Sequence, residues 1–300
     1  VLFRSGGAMP KMVRQFLDES DVILAVGASL TETSFGVSMP KGKKIIQQTI
    51  DPNVLNKDVR VTMGLVGDAK PTLAALLEEI KGSMSKPRDQ EPMAKEIAAV
   101  RADWMAEWQP KLTSNETPIC PYRVIWDLIN TVDATNTIIT HDSGSPRDQL
   151  SPFWVSKAPL GYIGWGKTTQ LGSGLGFAMG AKLAHPDKLC INVWGDAAIG
   201  FTGMDFETAV PERIPILSLL LNNFCMAAEL EVMPVSTERY NSTAISGNYS
   251  EMAKAFGGYG ERVTAPADII PAIKRGITQD RKSTRLNSSH VSESRMPSSA

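Results

Sequence analysis

Two apolar runs set the pattern in the second half of the chain. Leu189 to Trp194 ends in Gly195-Asp196, and Ile214 to Leu221 ends in Asn222-Asn223. Short apolar runs bounded by turn residues read as buried strands. Between them a small-residue turn, Ala197 to Gly203, leads into a segment of helical spacing, Met204 to Val210. Strand, helix, strand predicts two parallel neighbours whose carboxyl ends share one edge of a sheet. The alternation continues on both sides. A helix is expected within Gly6 to Ser20, strands at Val22 to Val26 and Lys44 to Ile50, and a helix from Pro71 to Ile80. The stripe Met93, Ile97, Val100, Trp104 and Trp108 predicts a packed helix over Pro92 to Trp108. Further on, helices are expected at Tyr122 to Thr131, Phe177 to Leu183 and Tyr249 to Phe256, with one beginning at Ile269 to Gly276, and strands at Thr137 to Thr140 and Glu261 to Val263. The fold class is therefore α/β, parallel sheets flanked by helices. Polar, proline-containing connections mark off residues 83–117 as a linker with a helix, between a first domain at 6–82 and a second at 118–279.

Charge and composition narrow the partners. The 300 residues carry 31 Lys plus Arg against 32 Asp plus Glu, a net charge of -1, which favours neither nucleic acid nor an anionic membrane. Cys120, Cys190 and Cys225 form no C-x-x-C, so neither a zinc site nor a disulfide framework is indicated. No apolar run is long enough to span a bilayer, and a cytoplasmic location is expected.

Chemistry is concentrated at the predicted strand ends. Asp196 and Asn223 would face each other, and a carboxylate, an amide oxygen and nearby carbonyls are hard ligands of the kind magnesium takes beside a diphosphate. The small residues after Asp196 leave backbone N–H groups free to approach anionic oxygens. The first half has weaker signals, Gly27-Ala28-Ser29 and Asp51-Pro52, without a G-x-G-x-x-G. His141, at the end of its strand, is read as a hydrogen-bonded structural residue in preference to a catalytic base.

Gly195-Asp196-Ala197 followed by Asn222-Asn223 resembles the signature of thiamine diphosphate enzymes, a Gly-Asp-Gly with Asn-Asn some two dozen residues later. The run from Thr169 to Gly176 is similar to the family's glycine-rich segment. Residues 6–279 resemble the central and C-terminal parts of the acetolactate synthase-like group. The resemblance implies that Asp196, Asn223 and the main-chain carbonyl of Cys225 hold Mg. It implies that Gly144, Ser145, Gly195, Asp196, Ala197, Ala198 and Asn223 line the thiamine diphosphate, and that Leu171 is the apolar wedge bending it. At Ser145-Pro146 the sequence departs from the family's usual Gln and His. The segment G-D-A-A-I-G-F-T-G-M-D is also similar to oxalyl-CoA decarboxylases. The implied activity is a carbon–carbon lyase or carboligase acting on a 2-oxo acid or an acyl-CoA, in a homodimer or tetramer. The first domain holds either FAD or ADP or nothing. The family's catalytic Glu sits in a separate N-terminal domain, so no catalytic residue is expected in this chain, and the chain alone is expected to be inactive.

The ends read differently from the rest. Val1 to Ser5 and Asp280 to Ala300 can be written as translated sequencing adapter, which would leave 1–5 and 280–300 outside the folded domains.

Overall fold

The computed structural model describes residues 9–32, 38–164, 170–230 and 232–282. Val1 to Ser5, the stretch from 283 to 300, and Thr169 of the glycine-rich run lie outside the described residues. The chain divides into two compact units between Glu107 and Trp108, inside one helix.

In the first unit α1 (Lys11–Glu19) precedes β1 (Val22–Val26), β2 (Lys44–Thr49) and β3 (Met63–Val66), a parallel sheet in the order β1-β2-β3. Helix α2 (Ala69–Ser83) follows, its first turn capped by Asp68, whose side chain accepts the Lys70 N–H at 2.9 Å. Side chains alternate faces along a strand. Ile23, Ala25 and Ile45 are thus buried on one face with Leu30, and Leu17 of α1 packs over them. On the other face Val22, Leu24 and Val26 are 49%, 44% and 38% exposed. Gln47 and Gln48 are buried near the end of β2, where their amides donate to the carbonyls of Ala28 (2.8 Å) and Gly67 (2.6 Å). The loops after β1 and β3 are thereby tied to the middle strand. Helix α3 (Glu91–Leu112) carries the chain across the division.

The second unit runs α4 (Pro121–Thr131), β4 (Thr137–His141), α5 (Ser145–Leu150), β5 (Tyr162–Ile163), α6 (Ser173–Ala184), β6 (Leu189–Gly195), α7 (Asp196–Thr202), a 3-10 turn (Gly203–Asp205), α8 (Phe206–Ala209) and β7 (Leu217–Leu221). Helices α9 (Pro234–Tyr240), α10 (Tyr249–Ala255) and α11 (Ile269–Lys282) complete it. Its sheet is wholly parallel, in the order β5-β4-β6-β7. Every residue of β4 and β7 is buried, which is why these strands read as continuous runs and not as alternating ones. Trp194, Leu175, Phe206, Ile138 and Leu220 form the centre of the core. Inside it the Trp194 indole N–H donates to Ser218 Oγ at 2.9 Å, joining β6 to β7.

Three expectations are corrected. The segment Ala197 to Gly203 is not a turn: it is helical from Asp196, because Ala197 and Ala198 are strong helix formers and an acid suits the first turn. Strand β7 starts at Leu217 and not at Ile214, since Pro215 has no N–H for the ladder. No strand forms at Glu261 to Val263; Glu261 turns instead to the Arg275 guanidinium and the Tyr259 hydroxyl. Helix α11, expected to begin at Ile269 to Gly276, runs on to Lys282. The short elements β5, α5 and α9 were not anticipated.

Candidate functional site

Strand order sets the location. From β4 the chain steps to β5 on one side, while β6 steps to β7 on the other, so the order reverses between β4 and β6. In open α/β sheets the crevice at the carboxyl ends of such a pair is where ligands bind.

At the β6–β7 end, Gly195 pairs with Leu221, which places Asp196 alongside Asn222 and Asn223. The Asp196 carboxylate is 3% exposed. Its Oδ1 accepts the Ala197 N–H at 2.9 Å and its Oδ2 accepts the Cys225 N–H at 3.2 Å. Asn223 Oδ1 accepts that same Cys225 N–H, also at 3.2 Å. The two oxygens therefore converge on one point. Burial pushes the Asp196 carboxyl above its usual range, opposed by the backbone N–H groups of Ala197, Cys225, Phe224 and Asn223. Tyr249 is close enough to respond: burial, then the Asp196 charge, pushes its hydroxyl up to about 12.

The loop carrying Asn223 is held from both sides. Phe224 has φ of 57°, a left-handed backbone uncommon for an aromatic residue. Its N–H donates to Asn222 Oδ1 at 3.1 Å and its carbonyl accepts the Ile245 N–H at 2.9 Å. The Met226 N–H reaches the Thr243 carbonyl at 2.8 Å, so Cys225 and Ala244 form an antiparallel bridge of the type in which the paired residues turn their own N–H and C=O outward. The Cys225 carbonyl thus faces away from residues 243–245, as its N–H does.

The β4 end is built around Asp142, which is wholly buried. Its Oδ1 accepts the N–H groups of Ser143 and Gly172, both at 2.8 Å, and its Oδ2 accepts that of Gly174 at 2.9 Å. Burial raises this carboxyl too, and the N–H groups of Gly174, Gly172 and Ser143 work against the rise. Gly172 has φ of 90° and needs glycine for it. At Gly174 the constraint is space: a Cβ would lie 2.4 Å from Asn192 Oδ1 and 3.0 Å from the His141 carbonyl oxygen. Asn192 Oδ1 lies 3.0 Å from Thr140 Oγ1, and its buried Nδ2 has no partner. His141 is buried with its Nδ1 3.0 Å from the Asp142 carbonyl, and burial lowers it to about 4, so it is a neutral residue of the packing.

The remaining candidates fall around the same crevice. Gly144 has φ of 83° and leads into α5, whose first residue, Ser145, is exposed. Pro146 then packs within 3.6 Å of where a Gly195 Cβ would be, bringing that turn beside β6. Leu171 is partly buried and backed by the core. Ala197 is half-buried, while the Ala198 side chain lies in the core. No group of three or more His, Cys, Asp or Glu among the described residues could hold a metal, so any ion here depends on amide and carbonyl oxygens beside one acid.

Residues 142–285 match the family model "Thiamine pyrophosphate enzyme, C-terminal TPP binding domain", and residues 3–76 match "Thiamine pyrophosphate enzyme, central domain". The chain belongs to the thiamine pyrophosphate enzyme family. Its second unit contains the whole crevice described above and corresponds to the family's cofactor-binding domain. Similar proteins include a probable acetolactate synthase large subunit of Methanococcus aeolicus, 26% identical over 88% of this chain and 46% of the relative. The acetolactate synthase large subunit IlvG of Mycobacterium tuberculosis is 29% identical over 87% of this chain and 47% of its own length. The 2-hydroxyacyl-CoA lyase of Oryza sativa subsp. japonica is 26% identical over 87% and 47%. The chain spans about half the length of the relatives it matches.

Two features of this thiamine pyrophosphate enzyme domain escaped sequence reasoning. Asp142 was one polar residue among several at a strand end, and its partners are 30 and 32 positions away. The signal was present as a strand-end Asp paired with a later glycine run opening a helix. The left-handed Phe224 had no signal at all, since nothing about Phe marks that backbone.

Proposed function

We propose that this chain carries the cofactor-holding part of a thiamine diphosphate- and Mg-dependent carbon–carbon lyase or carboligase that acts on a 2-oxo acid, acetolactate synthase-like. The observation that carries the reading is Asp196. It is a buried carboxylate with backbone N–H groups around it, and it shares the Cys225 N–H with Asn223 Oδ1, which brings the two oxygens close together. Buried charges are paired or coordinate metals, and this donor set suits a hard divalent ion.

Asp196, Asn223 and the Cys225 carbonyl would hold Mg. The backbone of Gly195, Ala197 and Ala198, with Gly144 and Ser145 across the crevice, would face the diphosphate. Leu171, backed by the core, supplies an unyielding apolar surface against which the cofactor's rings can be bent. When bound, thiamine diphosphate supplies the carbanion chemistry that breaks or makes a bond beside the substrate carbonyl. The protein's part is to orient it, exclude water and fix its charge. His141, neutral and packed, takes no proton in this reading.

The likeness to a 2-hydroxyacyl-CoA lyase favours a second reading of the substrate, an acyl-CoA handled by an oxalyl-CoA decarboxylase-like enzyme. FAD or ADP fits the first unit poorly. The Gly27 N–H is shared by the carbonyl and side-chain oxygens of Gln48, the Gly67 N–H goes to the Thr49 carbonyl, and the glutamine amides occupy the loop carbonyls. We assign that unit a structural role. No helix among the described residues is long and apolar enough to cross a membrane, and we place the enzyme in the cytoplasm as a homodimer or tetramer whose catalytic Glu comes from a region outside this sequence.

Calorimetry on the full chain tests the assignment. Weak, Mg-dependent binding of thiamine diphosphate is expected, falling on the order of a hundredfold in Asp196→Ala, as for loss of a charged ligand. Equal affinity with and without Mg, or in the variant, would sink the reading.

A further inference from the structure

The crevice has two walls with different owners. One is the β6–β7 edge with Asp196 and Asn223. The other is the turn Leu171-Gly172-Ser173-Gly174 opening α6, whose own sequence adds only local bonds, such as Ser173 Oγ to the Gln170 carbonyl at 3.0 Å, while its glycines lose the most conformational freedom on ordering. The first N–H groups of a helix have no partner within it, and the residue before α6, Gly172, has no side chain to cap them.

Asp142 replaces the missing cap from a distance. It stands at the end of β4, donates its own N–H to the Val193 carbonyl of β6 at 2.9 Å, and so is fixed to the two central strands. Its carboxylate takes the N–H of the N-cap residue Gly172 and of Gly174 in the first turn, while Oδ1 also takes the Ser143 N–H of the loop leading to Gly144 and Ser145. From the other side Thr140 Oγ1 donates to the Gly174 carbonyl at 2.9 Å, and Thr202 Oγ1, at the end of α7, donates to the Gly172 carbonyl at 2.8 Å. One acid thus ties together the glycine turn bearing Leu171 and the loop bearing Ser145.

We propose that Asp142 is a positioning residue, a remote helix cap that holds Leu171 and the Gly144-Ser145 loop in register across the crevice so that thiamine diphosphate meets a preformed wall. The second half of this statement rests on the cofactor reading above. The first half stands on the hydrogen bonds alone. Charge and acceptor count both matter: an amide offers one acceptor oxygen and places an NH2 group against N–H donors, so Asp142→Asn cannot reproduce three acceptances.

Hydrogen exchange on the full chain, resolved at single amides by NMR, tests it. In the parent chain Gly172 and Gly174 exchange slowly, although an uncapped helix start would leave them open; fast exchange at both overturns the proposal without any variant being needed. In Asp142→Asn the two amides are expected to exchange about tenfold faster or more, while amides in β6 and β7 keep their rates. A uniform rise across the second unit marks a merely global loss of stability and also overturns it. Calorimetry with thiamine diphosphate and Mg then addresses the ligand. A loss of about tenfold in affinity in the variant, with β6 and β7 unchanged in exchange, supports preorganisation; undiminished affinity refutes it. If the parent chain shows no Mg-dependent binding, the cofactor reading fails and with it the preorganisation half, while the exchange data still decide the cap.

Discussion

At the residue scale, burial decides the behaviour of the polar groups around the crevice. His141 is 4% exposed and its pKa is lowered from 6.5 to about 4. The imidazolium is thus less favourable in the folded state than in the unfolded chain. This contribution is full above pH 6.5 and is lost as pH falls from there toward 4, at up to about 1.4 kcal/mol per pH unit. His141→Gln, which cannot take up the proton, should flatten that part of the stability profile. Denaturant titrations of both proteins at several pH values across this window measure the difference, and parallel profiles would show that His141 does not titrate as described. The role of this residue was legible in advance, because a His at a buried strand end is more often a hydrogen-bonded structural residue than a base, even with Asp142 next to it. Asp142 was not legible: its importance lies in donors brought to it by the fold.

At the scale of elements, the buried strands β1, β4 and β6 were the easiest part to read, and short strands and the ends of elements the hardest. Val22-Ile23-Leu24-Ala25-Val26 is apolar, with β-branched Val22, Ile23 and Val26, between Asp21 and Gly27, and β1 has those bounds. At Asp196 the small residues that suggested a turn also have high helix propensity, and the neighbouring strand end, which supplies hydrogen-bond partners, tips the balance to helix. The two strands bearing Asp196 and Asn223 are tied internally by the Trp194 indole and Ser218. Ser218→Ala leaves that buried N–H without its partner, at a cost of about 1–3 kcal/mol. A thermal melt should show a midpoint several degrees lower; an unchanged midpoint would mean that the indole has another acceptor.

At the scale of the whole molecule, family membership was carried by two short motifs, while the division into units at Glu107 and Trp108 falls inside α3, where an unbroken helical stripe offers no mark of a boundary. The first unit keeps Val22, Leu24 and Val26 exposed along strand β1, at the edge of its sheet. Exposed apolar edge strands invite association. Leu24→Lys is expected to reduce concentration-dependent self-association of the chain in sedimentation velocity and to change stability by no more than about 0.5 kcal/mol; association of the same strength would show that other surfaces drive it. The N–H of Cys225, shared by Asp196 and Asn223, has a practical use of its own. A cation drawn in by those two oxygens withdraws electron density from the bond they make to this amide. The nitrogen resonance of Cys225 is therefore a built-in gauge, able to register any cation taken up there in a spectrum of the intact chain before any substrate is known.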